Sequence, residues 1–391
     1  MFVAACGGVS TPTALPEATA TSKPLEPTTT PEPPAPTPTE AANVEPTQAP
    51  SSPRLALLLP DNTVRFVELA EPVTNPGFPG GVLPRGGAAN GAVYYLDFNS
   101  PGGGVKRVDL NGNVRVLDFI RNQNYGLGAW AGDTPRLGWG TFPDASVSPM
   151  KAQIWVSSGD GSDAQVAYEA EMKPEVPSHF VFERWAADGQ SFYFSQEPWG
   201  VGGYLILAGA SSLYRYNAED GAVTEIAPFD TQGGMLCLDD FYGEVSRVAD
   251  HCGTPTLNIH DRDSGATTII EAPTDGSQLG PPGEAVKEHT VIGSARFSPN
   301  GQRVAFALAR GNPDAEQGWV AVSEGLSGAS KLVWAGEAGG FYTVIGWLNE
   351  EVLLVQWNGV LDPSQPSVWV VLASGADGYK LADGTFLALV R

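Results

Sequence analysis

Arg296-Phe297-Ser298-Pro299-Asn300-Gly301-Gln302-Arg303-Val304-Ala305-Phe306 reads as the end of one strand, a Pro-Asn-Gly turn and the start of a second, alternating strand. Proline presets the backbone of a reversal and glycine supplies its positive φ, while Val304 and Phe306 offer one apolar face. The same grammar recurs at Arg184-Trp185, Asp188-Gly189-Gln190, Phe192 and Phe194. It is found again where Trp130 is followed by Arg136, Leu137 and Trp139, and where Phe241 is followed by Arg247, Val248 and Ala249. Trp347 with Val352 to Val355 fits after a deletion of one residue. The five aromatic anchors, Trp130, Trp185, Phe241, Phe297 and Trp347, lie 55, 56, 56 and 50 residues apart. A period near fifty marks modules that bury their apolar faces only against one another.

Each anchor is followed by two further strand candidates joined by a polar turn. Examples are Leu213 to Tyr216 with Val223 to Ile226, and Leu257 to His260 with Ala266 to Ile270. Four short antiparallel strands per module, with Gly, Asn and Asp between them, is the composition of a propeller blade. Sustained apolar spacing at 3.6 residues is absent, so the expected class is all-β with few or no helices. Second strands start at Leu55, Ala92, Arg136, Ser191, Arg247, Arg303 and Val352, which predicts seven blades, with six as the alternative. The last run, Thr385 to Val390, is expected beside Arg54 to Leu59, closing the ring between the two ends of the propeller and removing two sheet edges.

Phe297-Ser298-Pro299-Asn300-Gly301 with Arg303-Val304-Ala305-Phe306, supported by the copies at Trp185 and Trp347, resembles the blades of TolB-type and WD-repeat-like β-propellers over residues 54–391. That resemblance implies association with a bacterial envelope. Residues 9–53 hold twelve Pro and ten Thr and predict an extended, disordered tether. Ahead of it, residues 1–8 include Val3-Ala4-Ala5-Cys6-Gly7, which resembles the end of a bacterial lipoprotein signal; the expectation is lipid attachment at Cys6, the alternative an unmodified cysteine. An extracytoplasmic, oxidising setting then predicts a disulfide between Cys237 and Cys252, on consecutive strand candidates; the alternative is two buried thiols.

A net charge of −22 argues against nucleic acid and against docking flat on an anionic bilayer, leaving the lipid as the expected membrane contact. The histidines His179, His251, His260 and His289 have no HExxH spacing, and no Gly-x-Ser-x-Gly elbow occurs, so no catalytic residue, metal or cofactor is expected. Asp160-Gly161-Ser162-Asp163 and Asp261-Arg262-Asp263-Ser264-Gly265 read as tight turns rather than calcium loops, and the pairs Asp239-Asp240 and Glu350-Glu351 are too ordinary in an acidic chain to mark a glycosidase.

Connections from second to third strands and between blades are the long ones, which places them on one face, the default binding surface. Trp199 is the expected contact residue there, with Glu197, Asp144, Asp314 and Asp362 on the same face. The function expected from sequence is a monomeric, non-enzymatic propeller that binds a protein, peptide or glycan. The alternatives are an envelope enzyme, a lyase or glycosidase working in the central channel, and a structural spacer.

Overall fold

In the computed structural model, the residues described are 52–74, 86–97, 104–121, 123–143, 148–172, 178–198, 212–226, 238–251, 256–273, 290–310, 317–335, 339–360, 365–375 and 377–391. They form strands and turns, with no helix among them. Blade 1 comprises β1 (Arg54–Leu58) and β2 (Val64–Glu68); blade 2, β3 (Gly86–Ala89), β4 (Ala92–Leu96), β5 (Val105–Asp109) and β6 (Val114–Val116). Blade 3 runs β7 (Gln123–Trp130), β8 (Arg136–Thr141), β9 (Lys151–Ser158) and β10 (Gln165–Glu171), and blade 4 β11 (Ser178–Trp185), β12 (Phe192–Pro198), β13 (Ser212–Tyr216) and β14 (Val223–Glu225). Blade 5 has β15 (Leu238–Tyr242), β16 (Arg247–Asp250), β17 (Thr256–Asp261) and β18 (Thr267–Glu271). Blade 6 has β19 (Thr290–Phe297), β20 (Val304–Arg310), β21 (Gly318–Ser323) and β22 (Ser330–Ala335). Blade 7 has β23 (Gly340–Asn349), β24 (Val352–Gly359), β25 (Ser367–Leu372) and β26 (Gly378–Asp383), and β27 (Thr385–Val390) returns to blade 1.

The molecule is a seven-bladed β-propeller. Six sheets are four-stranded antiparallel meanders, and the seventh is ordered β2-β1-β27. The expected ring closure is present: Arg54 faces Val390 and Leu58 faces Thr385 across the β1–β27 ladder. All seven second strands begin within one residue of the positions read from the sequence. The first strand of each blade is the innermost, and successive first strands meet around the ring, as β27 with β3, β3 with β7, and β19 with β23 do.

Why these modules lock together is visible at the anchors. Each anchor sits at or near the end of an innermost strand, just before the first hairpin, and Trp347 is fully buried. In blades 3, 5 and 6 an arginine at or just before the start of the second strand then reaches the first hairpin of the next blade. Arg136 donates to Gly189 O at 2.5 Å with its guanidinium 4.8 Å from the Trp185 ring centre. Arg247 donates to Gly301 O at 2.8 Å. Arg303 donates to Glu350 O and lies 5.1 Å from the Trp347 ring centre. The hairpin accepts such a neighbour because it is tight: Gly301 has φ of 69°, and a Cβ there would come 2.6 Å from the Tyr242 ring.

Between blades 3 and 5, which use this device, blade 4 does not. Its second strand starts without arginine, and the contact with blade 5 is made by Tyr193, whose hydroxyl donates to Glu244 at 2.6 Å, and by Arg184 of the innermost strand. Antiparallel alternation also sends every second-to-third connection, and every connection that leaves a fourth strand for the next blade, from the same end of the sheets; β2, the third strand of its sheet, leaves from the other end. The β26–β27 link is short, and so are the second-to-third connections β1–β2 and β16–β17, so the expected length contrast holds for only part of this face.

Candidate active site at the inner edge of blades 4 to 6

Ionisable side chains are unevenly spread over the innermost strands. Apart from tyrosine, β27, β3, β7 and β23 carry none. His179, Glu183 and Arg184 lie on β11, Asp239 and Asp240 on β15, and Arg296 on β19. Among the described residues, three consecutive blades thus hold all of the charge on this layer.

The strand pairing explains how these groups are presented. In β11 the ladder passes from Phe182 opposite Phe194 to Arg184 opposite Tyr193, leaving Glu183 as the extra residue of a β-bulge. In β15 it passes from Leu238 to Asp240, leaving Asp239 as the extra residue. A bulge re-aims a side chain that regular alternation would send to the wrong face. Both bulges fall two residues before the anchor. In blades 6 and 7 the ladder also shifts ahead of the anchor, at Ser294-Ala295 and at Ile345, without an acid, while β3 pairs with β4 in unbroken register; only in blades 4 and 5 does the bulge carry a carboxyl.

Glu183 is a strongly perturbed acid of the sector. Burial is the main cause that pushes its carboxyl up to about 7; the Ser195 hydroxyl, Arg296 and Arg184 oppose the rise, and the Glu197 charge adds to it. Ser195 donates to Glu183 Oε1 at 2.5 Å. A carboxyl poised near neutrality is a competent acid or base.

Its neighbours are already engaged. Asp239 Oδ2 lies 2.7 Å from His251 Nδ1, and Oδ1 accepts from Ala295 N at 3.2 Å. Asp240 Oδ2 accepts from Phe297 N at 3.0 Å, and Oδ1 is 3.8 Å from Arg184. Burial holds the Asp240 carboxyl above the usual range, with Arg296 and Arg184 pulling the other way. Arg184 donates to Phe241 O at 2.6 Å, stacks 3.6 Å from the Phe241 ring centre and keeps 27% of its side chain exposed. Arg296 is buried and donates to Asp239 O and Ala295 O, each at 2.6 Å. Farther out, His260 Nε2 meets Asp250 at 2.7 Å, which gives this histidine a place in the blade 5 sheet.

Of the site residues expected from sequence, Glu197 is described: it lies opposite His179 across the β11–β12 ladder, 26% exposed. Trp199, Asp144, Asp314 and Asp362 lie outside the described residues, as do Cys6, Cys237 and Cys252. Asp160 and Asp261 serve their turns, accepting from Ser162 N at 3.0 Å and Ser264 N at 2.8 Å. Among the described residues no group of three His, Cys, Asp or Glu is arranged to hold a metal ion. Sequence reasoning assigned no function to Glu183, Arg184 or Arg296 and set the Asp239-Asp240 pair aside; the signal for Arg184, Asp240 and Arg296 was a charged residue immediately before an anchor, at Arg184-Trp185, Asp240-Phe241 and Arg296-Phe297.

No protein-family model and no curated protein matches the chain. Among solved structures it is similar to an oligogalacturonate lyase in complex with manganese, at 14% identity and TM-score 0.46, over 75% of this chain and 74% of that one. The oligogalacturonate lyase of Vibrio parahaemolyticus is similar at 12% identity and TM-score 0.42, over 85% of each chain. A prolyl endopeptidase is similar at 12% identity and TM-score 0.48; 82% of this chain covers 45% of that one, less than half of its length. These likenesses are of fold, and no residue's role is carried over from them. The reading of the chain as a non-enzymatic binder is corrected at the inner layer, which holds a strongly perturbed acid, Glu183, that the sequence reading did not single out; the similar structures are enzymes by name and share the fold alone.

Proposed function

We propose that this chain is an enzyme acting at the inner edge of blades 4 to 6, a lyase that cleaves a uronate-containing polysaccharide by β-elimination. One observation carries the reading: the charge of the innermost layer is confined to β11, β15 and β19, with Glu183 aimed by a bulge and poised near neutrality. Glu183 takes the proton from the carbon next to the sugar carboxylate. The C–H electron pair becomes a C=C bond, the C–O bond to the leaving sugar breaks, and its oxygen is protonated from water. Arg184, partly exposed, offers a cation to the substrate carboxylate, whose charge grows as the proton leaves. A hydrolase would need two available carboxyls across the scissile bond. Asp239 and Asp240 are committed to His251, Arg184 and backbone N–H groups, and Glu197, the remaining carboxylate near Glu183, faces His179, so elimination with Glu183 as the single base is the reading favoured.

Glu183→Gln is expected to lower kcat about 100- to 10,000-fold, as for loss of a general base. The assay is the ultraviolet absorbance of the unsaturated product from a panel of uronate polymers. Wild-type kcat/KM should rise with pH and level off above about 7, since the base works deprotonated. Full turnover by the Gln variant would rule the reading out.

The TolB-like sequence grammar and Val3-Ala4-Ala5-Cys6-Gly7 support placing this enzyme in a bacterial envelope, outside the cytoplasm and lipid-anchored through Cys6. Cys6→Ser should then move the protein from the membrane pellet to the soluble fraction; an unchanged distribution excludes the anchor.

A further inference from the structure

We infer that the substrate is a heteropolymer in which the uronate bound near Arg184 is followed, a few rings along the same chain, by an uncharged sugar bound at Glu197, and that runs of consecutive uronates are selected against. This rests on the assignment of Glu183 and Arg184 above. His179 has both ring nitrogens without a hydrogen-bond partner although its side chain is only 6% exposed. A buried polar group left in that condition is costly, and one in a native structure asks for a reason. Its one ion-pair neighbour is Glu197, whose Oε2 lies 3.5 Å from Nε2, and on its other side the Phe142 ring is centred 5.5 Å away. Glu197 is thus a partly exposed carboxylate backed by a buried imidazole.

Such a set suits a sugar ring that bears hydroxyls. The carboxylate accepts from them, the His179 ring backs the carboxylate at 3.5 Å, and the Phe142 ring adds apolar surface. It does not suit a second carboxylate, which Glu197 would repel without solvent to screen the contact. Along β11 the His179–Glu197 rung is four rungs from the Arg184–Tyr193 rung, about 13 Å at the usual strand rise. An oligosaccharide of a few rings, charged at one end and neutral at the other, matches that separation and polarity.

The test measures binding and turnover separately, on the full chain. Binding is read by affinity electrophoresis through hyaluronan, xanthan, gellan and rhamnogalacturonan, each a uronate heteropolymer, against polygalacturonate, a uronate homopolymer. Wild type should be retained at least 10-fold more strongly by one of the heteropolymers. Glu197→Gln should shrink that ratio at least 5-fold, by admitting the homopolymer as well as by weakening the heteropolymer. His179→Gln, with no charge change at Glu197, should weaken heteropolymer binding without admitting the homopolymer, a split that a purely structural role would not produce. Equal retention of polygalacturonate by wild type, retention by none of the heteropolymers, or a ratio unmoved in Glu197→Gln overturns the inference. If the preference holds while Glu183→Gln keeps full turnover, the lyase assignment fails and the subsite stands.

Discussion

At the scale of single residues, Glu183 joins reactivity to instability. Its folded carboxyl titrates at about 7 against an ordinary value of 4.5, so between these pH values the native chain holds a proton that the unfolded chain has released. Unfolding free energy therefore falls as pH rises from about 4.5 to about 7 and is level above, where the full cost of the buried charge is present. Glu183→Gln removes the charge and keeps an acceptor for Ser195. It should raise stability by about 2 kcal/mol at pH 8 and leave it nearly unchanged at pH 4, a difference that chemical denaturation at the two pH values would resolve. Equal effects at both would show that Glu183 ionises as an ordinary surface acid. A substitution that stabilises the fold and removes turnover is the expected mark of a group kept for chemistry.

At the scale of elements, the bulge that presents Glu183 is held by its neighbour. Phe182 enters a slot in blade 3 whose walls are Gly128 and Gly138, opposite each other across the β7–β8 ladder; a Cβ on either would come within 2.4 Å of the Phe182 ring. Gly138→Ala should therefore cost about 3 kcal/mol by overpacking, and should move the Glu183 titration away from about 7 because the ring and the bulge shift together. Carboxyl NMR of the Gly138→Ala protein checks the second part; an unmoved titration would separate slot from bulge. This is also where the sequence is least informative. Turn chemistry at Asp188-Gly189 and Pro299-Asn300-Gly301 announces itself, because few residues tolerate those backbone angles. A bulge inserts one residue into an alternating pattern without any special residue type, so Glu183 and Asp239 read as ordinary acids in an acidic chain until the ladder is known. The arginines at Arg136, Arg247 and Arg303 were visible as a repeat, but their purpose depends on the next blade, some fifty residues on.

At the scale of the whole molecule, blade number, second-strand starts and ring closure were legible because each rests on local turns plus a period. The confinement of charge to blades 4 to 6 was not, since it is a property of the layer that seven distant strands build together. The closing sheet has a further consequence. Arg54 and Val390 are paired across the β1–β27 ladder, so the two ends of the propeller are neighbours, separated by about 5 Å as paired strands are. Where a chain begins is then a matter of gene order rather than of architecture: a circular permutant that bridges residue 391 to residue 52 with a short glycine linker and opens between Ala335 and Gly340 should fold to the same ring. In that permutant β1 and β27 become one continuous hairpin, and their junction ceases to be the seam at which the circle can part.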